Sequence, residues 1–318
     1  MKSKADALPR LMQAALATRY GGPEVIEFKE VPLPACGPGM VLVKVEASAV
    51  NAGDARARGL QVAQPMRTLM RLVLGVRRLR KPILGTVYAG TVVALGEGAT
   101  AFRIGDRVFG ATPGMSFGGH ARYAAVPQDS AIARMPQGAD AGDLVSLVFG
   151  GATALFFLEK AGAAPGKKAL IYGASGAVGS MAVQIANIQG MTVTAVASGK
   201  NRELVTSLGA DNFLAYDAPG FTLPAAAFDL VLDAVGKLPG KLAQAALKPG
   251  GQSATVGGTT VSKETAAHMQ TLAEWFKAGK LKPVIQQRFA FEDIIKAHEL
   301  VDSGRKVGSA VLMMGSGE

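Results

Sequence analysis

The sequence predicts an α/β protein in two parts, a small, partly closed barrel of short strands followed by a doubly wound parallel sheet. Three observations lead there. Up to about residue 140, strand-like runs recur between Gly- and Pro-rich turns, and beyond it helical and strand-like stretches alternate. Glycines at 173, 176 and 179 follow directly on an apolar run of strand length. The 318 residues, 49% of them hydrophobic, suffice for two domains with separate cores.

The elements follow in order. Residues 1–11 read as a polar extension. Strands are expected over 12–19, 25–31 and 41–50, the last alternating Val41, Val43, Val45 and Ala47 against Leu42, Lys44 and Glu46. Gly21-Gly22-Pro23, Pro32 to Pro34 and Gly37-Pro38-Gly39 punctuate them. Runs over 87–95, 107–110 and 121–126 continue the pattern. A long apolar helix is expected over 144–161, broken early at Gly150-Gly151. Strands over 169–172, 192–197, 213–216, 228–232 and 251–256, with a helix over 238–247 before the last, fill the second part. Parallel strands linked by helices present ligands at their carboxyl ends. Gly173, Ser198, Tyr216, the Asp233 to Gly236 stretch with Val235, and Gly257 should therefore face one cleft.

The loop Gly173, Ala174, Ser175, Gly176, Ala177, Val178 and Gly179 has the chemistry of a phosphate cradle. Gly176 lets the backbone approach a pyrophosphate, Gly179 lets the helix pack close to its strand, and the helix N-terminus offers unpaired N–H groups to an anion. Taken alone, such a turn is also an ordinary tight strand-to-helix connection. Its context favours a dinucleotide. The next strand ends where an NAD-binding chain carries an acid for the ribose 2′-hydroxyl. Here the end reads Ser198-Gly199-Lys200-Asn201-Arg202, and no Asp or Glu lies between Glu159 and Glu203. Lys200 and Arg202 would meet a 2′-phosphate with charge-assisted hydrogen bonds, which predicts NADPH.

The single cysteine, Cys36, rules out an intrachain disulfide and a multi-cysteine zinc site. His120, His268 and His298 form no close-spaced ligand motif, so no metal is expected. No apolar run reaches the about 18 residues of a membrane span, and no signal peptide is apparent, so a cytoplasmic location is expected. The net charge of +10 is concentrated. Between Asp54 and Glu97 there is no acid, whereas Arg56, Arg58, Arg67, Arg71, Arg77, Arg78, Arg80 and Lys81 fall there. Residues 65–81 suggest a basic amphipathic helix with Met66, Leu69, Met70, Val73 and Leu74 as its apolar side and Gly75 as a weak point. It would touch anionic lipid, steer an anionic substrate, or cover a cleft with a solvated outer face. No nucleic-acid motif accompanies the charge, so no nucleic-acid partner is expected.

With these residues in place, the chain resembles the zinc-independent members of the medium-chain dehydrogenase/reductase superfamily, close to the quinone oxidoreductase group. The resemblance runs from Met12 to Met314 through Tyr20 to Val25, Val50 to Asp54, Gly85 to Gly90, Phe102 to Gly110, Gly151 to Ala154 and Gly173 to Gly179. It implies a GroES-like β-barrel catalytic domain over residues 12–140 and 284–318, and a Rossmann NADP-binding domain over 141–283. It also implies Gly176, Ala177, Val178 and Gly179 on the pyrophosphate, and Ser198, Lys200 and Tyr216 around the 2′-phosphate. Asn51 and Thr153 would lie near the nicotinamide as catalytic groups. Residue by residue, Tyr216 also reads as the cap of a strand, and Asn51 as the hydrogen-bonding residue of a turn.

Departures matter as much. Zinc-dependent relatives place a cysteine and a Gly-His-Glu motif at a catalytic metal, where Asn51, Thr86 and Val87 stand here. Quinone reductases usually carry Asp at Val87, so an altered pocket floor is expected. Ala174 replaces the first fingerprint glycine. After Gly258 the relatives add a loop and a strand through which Rossmann domains commonly pair, and this chain passes to a helix near Ser262. A monomer or an atypical dimer is therefore expected. The activity implied is NADPH-dependent, metal-free reduction of a small quinone or α,β-unsaturated carbonyl. The alternatives are a non-catalytic NADPH-binding sensor or peripheral membrane adaptor using residues 65–81, and a zinc-independent alcohol dehydrogenase or carbonyl reductase.

Overall fold

A computed structural model describes residues 8–61, 64, 66–256 and 260–315 of the chain. Strand β1 (Leu11–Ala17) pairs antiparallel with β2 (Ile26–Pro32) in a two-stranded sheet. The long strand β3 (Met40–Val50) leads into helices α1 (Ala52–Gly59) and α2 (Met66–Leu74). Strands β4 (Val87–Leu95), β5 (Arg107–Ala111), β6 (Tyr123–Pro127) and β7 (Ile132–Arg134) follow.

Strand β3 organises the barrel. One flank pairs with β4, and two register shifts, at Leu42/Val43 and Val45/Ala47, bend the pair. The other flank is shared, because residues 40–44 pair with β6 and residues 47–50 with a strand from the end of the chain. Its buried alternation then fills the interior with Val41, Val43 and Val45 beside Tyr88, Val92 and Val108.

The second part runs α3 (Ala141–Lys160), β8 (Lys168–Tyr172), α4 (Ala177–Ile188), β9 (Thr192–Ala197), α5 (Arg202–Ser207) and β10 (Asn212–Ala215). It continues through β11 (Phe228–Asp233), α6 (Gly240–Ala246), β12 (Leu247–Thr255) and α7 (Ala266–Lys277). Strands β8 to β12 form a parallel sheet in the order β10-β9-β8-β11-β12, so the order reverses between β8 and β11, where such sheets bind ligands. The chain then returns through β13 (Ile285–Ala290), α8 (Ile294–Asp302) and β14 (Ser309–Met313), and β14 joins β3.

Helix α3 corrects two expectations. It is continuous through Gly150-Gly151. A side chain at Gly150 would stand 2.2 Å from the Ala177 carbonyl oxygen and one at Gly151 2.6 Å from Leu272, so the glycines let α4 and α7 pack closely instead of breaking the helix. At 20 residues α3 is also long and apolar enough to cross a bilayer, although no apolar run of that length was expected. Most of it is buried, with Leu144, Val145, Leu147 and Val148 fully enclosed between the sheets, so it is the central core helix. Arg288 on β13 ties its N-terminus, donating to Asp140 and Asp143 at 2.6 Å each.

Helix α2 also differs from expectation. It ends at Leu74, and Gly75 takes a φ of 131°. Residue 65 lies outside the described residues, as do residues 257–259, and the Met66 side chain is not described. Met70 and Leu74 pack inward against Leu60, Leu79, Leu84, Phe117 and Tyr20. Leu69 and Val73, expected beside them, face solvent. The apolar arc of the helix is wider than the barrel covers, so part of it is left to solvent. Among the described residues β12 is an edge of the parallel sheet, and Pro249 within it has no N–H to offer a neighbour.

Candidate functional site

The turn after β8 is shaped by two glycine requirements. Gly173 sits at φ 76°, and a Cβ there would lie 2.6 Å from Val235. A Cβ on Gly179 would lie 2.1 Å from the Gly173 carbonyl oxygen and 2.7 Å from Ala174 Cα, so only glycine lets α4 close onto the strand end. Gly176 is the N-cap of α4, with no side-chain cap and nothing nearer than 3.5 Å to the space beside it. Ala174 and Val178 are buried, and Ser175 and Ala177 complete the turn half-buried. The first amides of α4 thus have no side-chain cap, with the positive end of the helix dipole behind them.

Two residues at this turn escaped the sequence reading. Asn201 donates from Nδ2 to Ser175 Oγ and to Ser198 Oγ, at 3.0 Å each, which ties the end of β9 to the glycine loop. Lys306 arrives from the C-terminal segment, where Gly308 pairs with Gly176 and donates its N–H to the Ser175 carbonyl at 2.9 Å. The Lys306 ammonium donates to the Gly308 carbonyl and makes no ion pair among the described residues. Burial pushes its pKa down to about 8. An uncompensated cation beside an uncapped helix N-terminus fits an anionic ligand. Asn201 lies within the Ser198 to Arg202 stretch, but its bond to Ser175 spans 26 residues, and Lys306 lies 130 residues beyond Gly176 in the chain.

At the tips of β9 and β10 the structure brings together Ser198, Lys200 and Tyr216. Lys200 is exposed and has no ion pair among the described residues. Tyr216 is half exposed, its ring 6.3 Å from that of Tyr172. Arg202 instead stacks its guanidinium 4.5 Å from the Phe213 ring centroid, so its charge is placed over an aromatic face. An acid also enters here. Asp217 accepts the Gly199 N–H at 2.8 Å. The stretch without acids in sequence therefore has one beside it in space, contributed by the next strand. At the tip of β11, Asp233 accepts from the N–H groups of Val235 at 3.1 Å, Gly236 at 2.9 Å and Leu238 at 2.9 Å, holding Val235 over Gly173. Gly257 lies outside the described residues.

The other end of the site is built on α1. Asn51 is buried and caps that helix, its Oδ1 accepting from Gly53 N at 2.8 Å and Asp54 N at 3.3 Å. Asp54 returns the bond by accepting Asn51 N at 3.0 Å, which completes a capping box. Asn51 Nδ2 donates to Thr86 Oγ1 at 2.7 Å, leaving one amide hydrogen uncommitted. Val87, next along the strand, is enclosed in the core. Thr153, in α3, is 2% exposed and its hydroxyl is buried with no partner among the described residues. An orphaned hydroxyl facing into packed structure is costly, and a polar ligand group would satisfy it.

Beneath α1 runs a buried charge network. Asp54 Oδ1 accepts the Gly85 N–H at 3.0 Å. Arg58, fully buried, donates from Nε to the Gly21 carbonyl at 3.2 Å, from Nη1 to His298 Nδ1 at 2.7 Å, and to Asp302. A guanidinium only donates, so His298 is neutral with its proton on Nε2, and that nitrogen has no partner among the described residues. His120 stacks edge-on against His298 at 5.7 Å and contacts the Ala49 carbonyl through Nε2 at 3.3 Å. Burial, reinforced by His120 and Arg58, holds His298 well below the ordinary imidazole range. Burial lowers His120 too, against the pull of Asp54. Burial also raises Asp54, against His120, the two backbone N–H groups and Arg58.

Among the described residues no group of three His, Cys, Asp or Glu side chains converges as a metal site. Two family descriptions match the chain, "Alcohol dehydrogenase GroES-like domain" over residues 37–137 and "Zinc-binding dehydrogenase" over residues 208–312. The chain is 30% identical over 332 residues to a 2-methylene-furan-3-one reductase of Solanum lycopersicum, covering 98% of this chain and 81% of that relative. It is 29% identical over 337 residues to a chloroplastic quinone-oxidoreductase QR1 of Triphysaria versicolor, covering 95% and 98%. The fold matches that of the quinone oxidoreductase from Coxiella burnetii with a TM-score of 0.80 at 23% identity, over 96% of this chain and 99% of that one. The barrel is thus GroES-like and the parallel sheet Rossmann-like.

Proposed function

Because the chain belongs to the medium-chain dehydrogenase/reductase superfamily, in its quinone oxidoreductase-like group, we propose that this oxidoreductase is an NADPH-dependent, metal-free reductase of quinones or α,β-unsaturated carbonyls. The observation that carries the reading is the uncapped N-terminus of α4, with two cations, Lys200 and Lys306, that make no ion pair among the described residues. A bound nicotinamide would supply hydride. The chain's own part is binding and positioning. The α4 amides and Lys306 take the pyrophosphate, Ser198 and Lys200 take the 2′-phosphate, and Tyr216 and Val235 border the adenine side and the glycine turn. The Thr153 hydroxyl answers the carboxamide. The uncommitted Asn51 amide hydrogen donates to the substrate oxygen as charge develops there, an interaction of about 3 kcal/mol in comparable sites. Water delivers the final proton.

On this reading the catalytic domain comprises residues 12–140 and 284–318 and the cofactor domain 141–283, and the enzyme works in the cytoplasm. With β12 as a sheet edge interrupted by Pro249, it is a monomer or an atypical dimer. The engagement of Asn51 as a helix cap favours one rival, NADPH binding without turnover. NADPH oxidation against a panel of quinones, enones and aldehydes, with NADH and a chelator as controls, separates the two.

Lys200→Ala should weaken NADPH about 10-fold and leave NADH unchanged, as expected for one exposed charge-assisted contact. Lys306→Met should weaken both cofactors alike, because both carry the pyrophosphate. Fluorescence titration of each variant with each cofactor reads this. Loss of NADPH affinity in neither variant would reject the phosphate assignments.

A further inference from the structure

The segment after α1 has an outer surface that the proposed reduction does not use. Leu69, Leu72 and Val73 lie on α2 at spacings of three and four, so they form one stripe, and they are 54%, 58% and 45% exposed. Val76 extends the stripe at 61% exposed. The opposite side of the same helix, through Met70 and Leu74, is anchored to the barrel domain. The Tyr20 hydroxyl fixes the turn below by donating to the Gly75 carbonyl at 2.6 Å. The stripe is therefore held outward by packing, not left over from an unpacked helix.

Its surroundings are uniformly cationic. Arg67, Arg71, Arg77, Arg78, Arg80 and Lys81 are all exposed, and no acid occurs from residue 55 to residue 96. We propose that this face docks on an anionic lipid bilayer, with Leu69, Leu72, Val73 and Val76 entering the acyl boundary and the flanking guanidinium groups meeting lipid phosphates. Charge complementarity selects the occupant. A polyanion such as nucleic acid would satisfy the arginines and leave the leucines in water, whereas an anionic bilayer satisfies both with one surface. Two independent signals, apolar insertion and a basic patch, are what stable peripheral attachment requires. The inference does not depend on the cofactor or substrate assigned above.

Cosedimentation of the full chain with vesicles tests it. Vesicles of phosphatidylcholine alone should bind weakly, and vesicles with phosphatidylserine added should bind strongly and lose the protein at high salt. The pair Arg77→Gln with Arg78→Gln should weaken binding by about 10-fold or more, since each basic residue near the surface contributes a several-fold factor. The pair Leu69→Gln with Leu72→Gln should weaken it comparably with melting temperature and NADPH affinity unchanged, because those side chains are more than half exposed and belong to no core cluster. Equal binding of both vesicle types would overturn the proposal. So would retention on heparin without vesicle binding, or a dimer that the leucine variants dissociate.

Discussion

Gly179→Ala is expected to abolish dinucleotide binding and to destabilise the protein by about 3 kcal/mol, the upper end for forcing atoms into packed structure. The added Cβ would fall 2.1 Å from the Gly173 carbonyl oxygen and 2.7 Å from Ala174 Cα. Both are backbone atoms, so no rotamer change relieves the clash, and α4 must move off the end of β8. That movement carries the α4 amides away from the anion they would bind. Gly176→Ala supplies the contrast. Gly176 has φ −76°, open to any residue, and the nearest atom to its added Cβ is 3.5 Å away. This variant should melt like the parent, yet bind NADPH at least about 10-fold more weakly, because the methyl group occupies the mouth of the cradle. Thermal melts and NADPH fluorescence titrations on the two variants read both effects. Normal NADPH affinity in either one would place the pyrophosphate elsewhere.

The contrast between these glycines also shows how far a sequence reading reaches. The cradle was legible because its determinants are local, a strand, three glycines and a helix at fixed spacing. What local spacing could not show comes from segments remote in sequence. Asp217 approaches Gly199 only because β10 lies beside β9, and Lys306 approaches Gly176 only because the C-terminal return crosses the cradle. Gly150-Gly151 was read as a helix break because a glycine pair weakens a helix intrinsically. Its reason is instead the closeness of α4 and α7, a packing fact. Helix α2 failed differently. Its polar side carries Arg67, Thr68 and Arg71, but the apolar arc is wider than the barrel covers, so the pattern identified a helix and not which part of that arc would be buried.

Stability should fall steadily as pH is lowered from about 6.5, the ordinary imidazole value, and the buried network under α1 is the cause. His120 and His298 are held neutral in the folded protein by burial, so both fold-state pKa values lie below the unfolded ones. Below about pH 6.5 the unfolded chain binds protons that the folded chain refuses, and each such histidine removes up to about 1.4 kcal/mol per pH unit. Asp54 acts in the opposite sense. Burial raises its pKa, so its protonation as the pH falls favours the folded state and partly offsets the loss. His298→Gln removes one of the two terms, so its stability should vary less with pH. Arg58→Met should cost about 3 kcal/mol or more at pH 7.5, since it leaves Asp302, His298 Nδ1 and the Gly21 carbonyl without their shared donor. It should also flatten the acid limb, because removing the guanidinium lets His298 accept a proton more readily. Urea unfolding at half-unit steps from pH 8 to 5 measures all three proteins. A parent whose stability is level from pH 7.5 to 5.5 would mean that water or movement of α8 reaches His298 and lets it charge, and the network would then not hold α1 and Asn51 in place.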